Sequence, residues 1–333
     1  GLNNLDVISE CLRRIKANYG RTIDLDHLAF ESEVFREIFS KGNTSCVFQL
    51  ESGGMKRMLK EFKPDSIEDL IALVALYRPG PMDFIPDVIA VKQGRSKPHY
   101  IVPQLKKILD PTYGQPVYQE QLMDIFHQCA GFSLGEADII RRYMSKKKVK
   151  KFLAYKPQFI SGIIAAGAKM EEAEAFWESL TGFAKYAFNK SHAAVYAVIS
   201  YQTAWLKYHY PVEYMCSVMN HADTKKLPSL LYECRKMNIK ILPPDINRSQ
   251  IGFSINNDGD IIYGLRSIKG ISSHASWIIE ERNRNGFYES FLDFLVRAHE
   301  NKGVTETLIK AGTFDQCGTF SRTSLLYTLD DQL

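Results

Sequence analysis

Apolar residues recur at helical spacing through most of the chain. Over residues 1–19, Leu2, Leu5, Ile8, Leu12 and Ile15 fall on one face and predict a helix. "SEVFREIFSKG" (32–42) predicts a short helix stopped by Gly42. "SCVFQLES" (45–52) reads as a strand or extended segment, and Ser52-Gly53-Gly54 turns into a helix, "MKRMLKEF". "PDSIEDLIALVALY" (64–77) predicts a helix with Ser66 as N-cap and Asp69 at capping-box spacing. That helix is apolar nearly all round, so it belongs in a core. Ser133 and Glu136 repeat the spacing in "SLGEADIIRRYMSKKK". Further helices are expected at about 149–167, 171–181, 191–208, 211–221 and 225–237. From Ile239 the pattern changes. "IKILPPDIN" is extended and stiffened by proline, and "GFSINNDGDIIYGL" reads as a β-hairpin around Asn257-Asp258-Gly259. "IKGISSHASWIIEERNRNG" and "VTETLIKAGTFDQCG" read as compact helix–turn–helix units. The expected fold is mainly α: a multi-helical domain followed, from about residue 238, by a small α+β domain.

The length of 333 residues and the 45% hydrophobic content allow two domains. Apolar runs such as "LIALVALY" (70–77) are too short to cross a bilayer, and no secretory leader pattern precedes the first helix. A start without Met leads to the expectation of an excised fragment or a processed chain. The six cysteines are scattered with no C-x-x-C pair, which points to reduced thiols in the cytoplasm and away from a zinc site.

Net charge is only +4, but it is unevenly spread. Between Ile139 and Met170 there is no acid, while Arg141, Arg142, Lys146, Lys147, Lys148, Lys150, Lys151, Lys156 and Lys169 all lie there. A second acid-free stretch, Ser179 to Val212, carries Lys185, Lys190 and Lys207. Such a belt marks a polyanion site.

Four places could carry that chemistry. "NKSH" (189–192) opens a helix with Ser191 as the expected N-cap, and a helix start flanked by Lys190 and His192 suits a phosphate. A capped helix with a solvated lysine and a core histidine is the alternative. Behind that start, Val195, Val198, Ile199, Trp205 and Leu206 are expected to pack inward. The run from Arg141 to Lys151 exceeds what a helix dipole needs. Arg78, in "LYRPGP", leaves a buried helix and meets proline at once, so its guanidinium stands on a stiff base; a helix stop with an exposed arginine explains it equally well. "YGLRSIKGISSHASWII" has the spacing of a helix-hairpin-helix, in which a tight turn offers backbone N–H groups to a DNA phosphate. Ser272 stands where a second glycine is usual, and a purely structural hairpin is the rival. The pairs Asp24/Asp26, Asp258/Asp260 and Asp330/Asp331 lie in a connector, a hairpin turn and a tail, and no self-contained catalytic centre emerges.

In order, "VFQLES", "ALYRPGP", "PTYGQPVYQEQLM", "GFSLGEADIIRRYMSKKK", "YAFNKSHAAVYAVISYQTAWLKYHYP", "KILPPDIN" and "YGLRSIKG" resemble the bacterial C-family replicative polymerases, the DNA polymerase III alpha subunits, over about residues 1–318. The resemblance implies a connecting helix over 1–25, a helical fingers domain over 26–237, and a β-hairpin with tandem helix-hairpin-helix motifs over 238–333. It implies that Arg78, Arg141, Arg142, Lys146, Lys190 and His192 face an incoming deoxynucleoside triphosphate, with Gln49, Gln119 and Tyr196 lining the same cleft. Arg141, Arg142 and Lys190 would take phosphate charge, and Arg78 and His192 would lie near base and sugar or the primer terminus. Lys147, Lys148, Lys150 and Lys151 would meet template or duplex phosphates, and Lys269, Gly270 and Ser272 would hold duplex DNA. In such polymerases a palm domain carries the aspartates that bind two magnesium ions for nucleotidyl transfer. This chain is expected to start just after them, to lack thumb, clamp-binding motif and OB-fold, to hold no metal, and to be inactive alone. Implied partners are primer-template DNA, the nucleotide, the palm and thumb, the sliding clamp and other holoenzyme subunits, and no membrane. The alternative is a stand-alone, non-enzymatic DNA-binding protein.

Overall fold

The computed structural model describes residues 2–146, 148–184 and 186–332. The chain forms two compact units, Asp26–Trp205 and Gly1–Leu25 with Leu206–Leu333. Helix α1 (Leu2–Tyr19) opens the chain. Its buried stripe is Val7, Ile8, Cys11 and Ile15, whereas Leu5 stands 54% exposed. The stripe therefore differs from the expected one, because Val7 and Cys11 at i,i+4 complete the face that meets Pro211–Asn220.

In the unit Asp26–Trp205, α2 (Ser32–Val34) runs into a π-helical turn over Phe35–Ser40, and Gly42 ends it at φ +66°. The strand or extended segment expected at 45–52 is instead a chain of turns, with Cys46 and Gln49 in the left-handed region. Its backbone is held by side chains rather than a neighbouring strand. Thr44 Oγ1 donates to Leu50 O at 2.6 Å, and Phe48 lies between Thr203 and Ser200, its N–H donating to Thr203 Oγ1 at 3.1 Å and its carbonyl accepting from Ser200 Oγ at 2.8 Å.

Helix α3 (Gly53–Phe62) is capped by Ser52, and α4 (Ile67–Leu76) by Ser66, whose Oγ accepts from Asp69 N at 3.3 Å. α4 is buried along most of its length, as its composition predicts. Then follow α5 (Ile85–Lys92), α6 (Gln104–Leu109), α7 (Gln119–Asp124), which passes into a π turn over Ile125–Cys129, and α8 (Leu134–Ser145). The Ser133–Glu136 capping box closes in both directions, at 2.9 and 3.3 Å. The single helix expected over 149–167 is two, α9 (Val149–Leu153) and α10 (Lys156–Ala165). The break falls where Pro157 takes the first turn of α10. α11 (Met170–Ala184) and α12 (Lys190–His209), the latter as far as Trp205, complete the unit. Its core centres on Trp177, stacked on Phe152 at 4.8 Å and flanked by Phe159 and Phe126.

α12 turns a small-residue face inward: Ala193, Ala197, Ser200, Tyr201 and Ala204 are buried with Trp205 and Leu206, while Val195 is 58% exposed. The expected Val195/Val198/Ile199 face is corrected accordingly. Small side chains let the 44–50 loop approach closely enough for Ser200 and Thr203 to hold it.

In the other unit, α13 (Pro211–Asn220) and α14 (Leu227–Lys236) precede a three-stranded sheet. β1 (Ile241–Leu242) lies parallel to β3 (Ile261–Ile262), and β2 (Ser254–Ile255) pairs antiparallel with β3, Ile255 opposite Ile261. The β2–β3 turn is the expected one, with Asn256 Oδ1 accepting from Asp258 N and Asp260 N. After a 3-10 turn at Leu265–Ser267 come α15 (Ala275–Asn285), α16 (Phe291–Ala298), α17 (Lys302–Ala311) and α18 (Arg322–Gln332). The element before the Gly270 turn is thus a 3-10 turn rather than a full helix. Asp330 and Asp331 fall in α18 rather than in an irregular tail. The core of Ile246, Leu265, Ile271, Ile278, Phe294, Leu308 and Phe314 encloses this region.

The architecture is mainly α, a helical unit and a small α+β unit. The compact units divide at 25/26 and 205/206, a different place from 237/238, because α13 packs on α1 and on β2. No disulfide joins any of the six cysteines, all of them described residues, and four are buried. Among the described residues no helix is long and apolar enough to cross a membrane.

Candidate nucleotide and nucleic-acid interface

The candidate residues of the unit Asp26–Trp205 gather around residues 186–192. Phe188 bridges in parallel to Tyr118: Phe188 N donates to Val117 O at 3.2 Å, and Gln119 N to Phe188 O at 2.9 Å. This short pairing brings the start of α7 to the start of α12. Arg78 reaches it from the end of α4. Its Nε donates to Ala75 O at 2.7 Å, its Nη2 to Tyr186 O, and its guanidinium lies 4.3 Å from the centroid of the Phe188 ring. Burial lowers the pKa of Arg78 from its usual value. Gly80, at φ +100°, lets the Arg78-Pro79-Gly80 turn pack on Tyr186, whose ring a Cβ would meet at 2.6 Å. The expected stiff base for Arg78 is present.

From Phe188 a row of rings continues along α12. His192 lies 5.4 Å from Phe188 and 4.5 Å from Tyr196, and Tyr196 stacks on Phe48 at 5.6 Å. His192 is exposed, not a core histidine. Gln49 follows Phe48 on the same turn, exposed and left-handed. Arg78, His192, Tyr196 and the Phe48–Gln49 turn therefore form one continuous strip.

The second group is cationic. Arg141 Nη1 donates to Gln119 Oε1 at 3.4 Å, and Gln119 Nε2 to Ala187 O at 3.3 Å, which ties α8 to the same segment. Arg141 and Arg142 share Asp138, at 2.7 and 2.8 Å. Lys190 Nζ lies 3.2 Å from Glu68 and 5.4 Å from the centroid of the Tyr118 ring. The start of α12 is capped by Asn189 rather than by Ser191, with His192 N donating to Asn189 Oδ1 at 2.9 Å. Glu120 holds that start as well, accepting from Lys190 N at 3.0 Å and from Asn189 Nδ2 at 3.2 Å. An anion already occupies the helix start, as the dipole favours.

Three carboxylates, Glu68, Glu120 and Asp138, thus satisfy the cations and N–H groups of this surface. Sequence reasoning missed them, along with Phe188. Asp138 was findable at i,i+3 and i,i+4 from the arginines; Glu68 and Glu120, distant in sequence, were not. Beneath Lys190, the Tyr118 hydroxyl is the only buried side-chain polar atom among the described residues without a hydrogen-bond partner. Burial first, and then the charges of Glu68, Glu120 and Asp69, raise its pKa far above the ordinary value.

The lysine run is less built. Lys146, Lys148, Lys150 and Lys151 are exposed beyond the end of α8, with Lys151 Nζ 5.5 Å from the centroid of the Tyr143 ring. Lys147 lies outside the described residues.

Lys269, Gly270 and Ser272 belong to the other unit. The turn closes through Ile271 N to Ile268 O and His274 N to Ile271 O, and Gly270 takes φ +90° with open space where a Cβ would be. All three residues are exposed.

Among the described residues no three His, Cys, Asp or Glu side chains converge so as to hold a metal ion.

The description "Bacterial DNA polymerase III alpha subunit finger domain" matches residues 4–167, and a helix-hairpin-helix motif matches residues 238–325. The chain is 42% identical to the DNA polymerase III subunit alpha of Thermus aquaticus across its whole length, which is 28% of that protein. It is 43% identical to the subunit of Neisseria meningitidis serogroup B over 99% of the chain and 29% of the relative. With the Escherichia coli K12 subunit the identity is 40% over the whole chain and 30% of the relative. The chain therefore spans under a third of the length of these relatives. With the finger-domain match, the helix-hairpin-helix match and relatives whose alignments cover 99–100% of this chain, the chain belongs to the bacterial DNA polymerase III alpha-subunit family and represents its finger and helix-hairpin-helix region.

Proposed function

We propose that this chain binds the incoming deoxynucleoside triphosphate and primer-template DNA as the fingers portion of a bacterial replicative DNA polymerase acting in the cytoplasm. The single observation that carries the reading is the convergence of Arg78, Gln119, Arg141, Lys190 and His192 on residues 186–192. Arg141, Arg142 and Lys190 take triphosphate or strand charge, with Lys146 beside them. Their present carboxylate partners are only part-buried, so exchanging one anion for another costs little. Arg78 and His192 meet base and sugar or the primer terminus; Tyr196 and Gln49 extend that strip, and Gln119 orients Arg141. Lys147, Lys148, Lys150 and Lys151 attract template or duplex phosphates. Lys269, Gly270 and Ser272 grip duplex DNA. The fingers supply positioning and charge neutralisation. Two magnesium ions and their aspartates belong to a palm domain of the complete enzyme, whose further partners are the thumb, sliding clamp and holoenzyme subunits.

The reading has a direct test in primer extension. The purified chain, given magnesium, all four nucleotides and a primed template, is expected to bind the template and extend nothing. Extension would overturn the assignment of catalysis to other domains, and failure to bind any primed template at low salt would overturn the binding role.

A further inference from the structure

The Gly270 turn opens onto a cavity of about 990 Å³ within its own unit. Several parts of the chain line it. Two of them carry cations: the hairpin, with Arg266, Lys269 and Gly270, and the 3-10 turn Thr224–Lys226 with the start of α14, with Lys225 and Leu227. Lys225, Arg266 and Lys269 are all exposed, and no carboxylate lines the cavity. Arg141, Arg142 and Lys190 are answered by acids, but these three cations have no ion pair among the described residues. Asp223, the acid nearest Lys225 in sequence, accepts from Lys225 N at 2.9 Å and so caps its own turn. Cations gathered without acids repel one another, and a polyanion relieves that repulsion.

We infer that this cavity seats the sugar-phosphate backbone of DNA, with one phosphate at the Gly270 turn and its neighbours on Arg266 and on Lys225, which line the same cavity. The inference rests on the reading that the hairpin meets DNA and adds a wall that lies outside the helix-hairpin-helix match of 238–325. A phosphodiester fits better than an acidic peptide for two reasons. Gly270 leaves open space over backbone N–H groups that take no part in the turn's own hydrogen bonds, which suits close approach of a phosphate oxygen. Leu227 and Leu231, which also line the cavity, suit the apolar faces of deoxyribose.

Counterion release provides the test. The affinity of the 333-residue chain for a fluorescent DNA duplex is measured by anisotropy between 50 and 200 mM KCl. Lys225→Gln and Arg266→Gln are each expected to flatten the slope of log K against log salt by about 0.9, and the double variant by about twice that. Gly270→Asp tests the hairpin separately, and thermal melts check that every variant is folded. Should Gly270→Asp weaken binding while the Lys225 and Arg266 variants keep the wild-type slope, the hairpin reading stands and the second wall is refuted. If the wild-type chain binds no duplex, both fall. Displacement of the duplex by polyglutamate at equal charge concentration would also overturn the inference, by assigning the cavity to an acidic peptide.

Discussion

A complete polymerase carrying Arg141→Glu, Arg142→Glu and Lys190→Glu is expected to lose primer extension by about a thousandfold or more, since each charge-assisted phosphate contact is worth about 1.5–3 kcal/mol. The loss should appear while the fold persists. Arg142 and Lys190 have side chains 64% and 39% exposed, and their ion pairs with Asp138 and Glu68 are partly solvated. Pairs of that kind contribute about 0–1 kcal/mol. Thermal melting and extension should therefore separate: melting moves little and extension collapses. Reversal also places new carboxylates beside Asp138, Glu68 and Glu120, so part of the effect is repulsion of the phosphate. Lys146→Glu alone, beyond the end of α8, is expected to do far less. Extension within tenfold of wild type in the triple variant would remove the phosphate role from these residues.

Asp69→Ala is expected to destabilise the Asp26–Trp205 unit by about 3–5 kcal/mol, the usual result of stripping a buried ion of its partner. Asp69, its side chain only 3% exposed, accepts from Lys92 Nζ at 2.8 Å, from Tyr113 OH at 2.6 Å and from Asp65 N at 3.0 Å. Lys92 is itself enclosed, 5.0 Å from the centroid of Phe62 and 5.4 Å from that of Tyr113. Without Asp69 it keeps the neutral Tyr113 hydroxyl, at 3.2 Å, and as an anion only Asp65, at 3.3 Å on an exposed side chain. Burial works to raise the Asp69 pKa, but hydrogen bonds from Lys92, Tyr113 and Asp65 N outweigh it and hold the carboxyl below its ordinary 3.8. The sign follows. The stabilisation is present above pH 3.8 and is lost as pH falls through the lower, folded value. Urea unfolding monitored by circular dichroism measures both effects. A loss under about 1 kcal/mol would show that Lys92 finds water or another anion. The double variant with Lys92→Met should recover part of the loss, because no unpaired charge then remains buried.

Local physics made much of this legible in the sequence. Ser66 and Ser133 cap helices because their partners lie three residues on, within the reach of sequence reasoning. The β2–β3 turn was equally local, since Asn256 satisfies its own loop. Long-range choices were not legible. Asn189 and Ser191 are both good caps, and what settles the choice at α12 includes Glu120, about seventy residues away. "SCVFQLES" has the composition of a strand, but Ser200 and Thr203 of α12 take its backbone instead. The inner face of α12 is made of alanines and hydroxyls because a loop must approach it, a demand invisible to hydrophobic spacing. The cations at the candidate site were visible as an acid-free belt, whereas the carboxylates that answer them belong to α4, α7 and the first turns of α8. Phe188, between Arg78 and His192, gave no signal because an apolar residue before a helix is ordinary.

The most direct measurement is single-turnover incorporation by the complete enzyme, titrated with one nucleotide, comparing wild type with Lys190→Met and Arg141→Met. These neutral variants remove charge without adding repulsion. A role in holding the triphosphate requires the apparent nucleotide dissociation constant to rise about tenfold or more in each, the loss of about 1.4 kcal/mol per contact, with DNA affinity nearly unchanged. A dissociation constant equal to wild type in both variants would contradict that role.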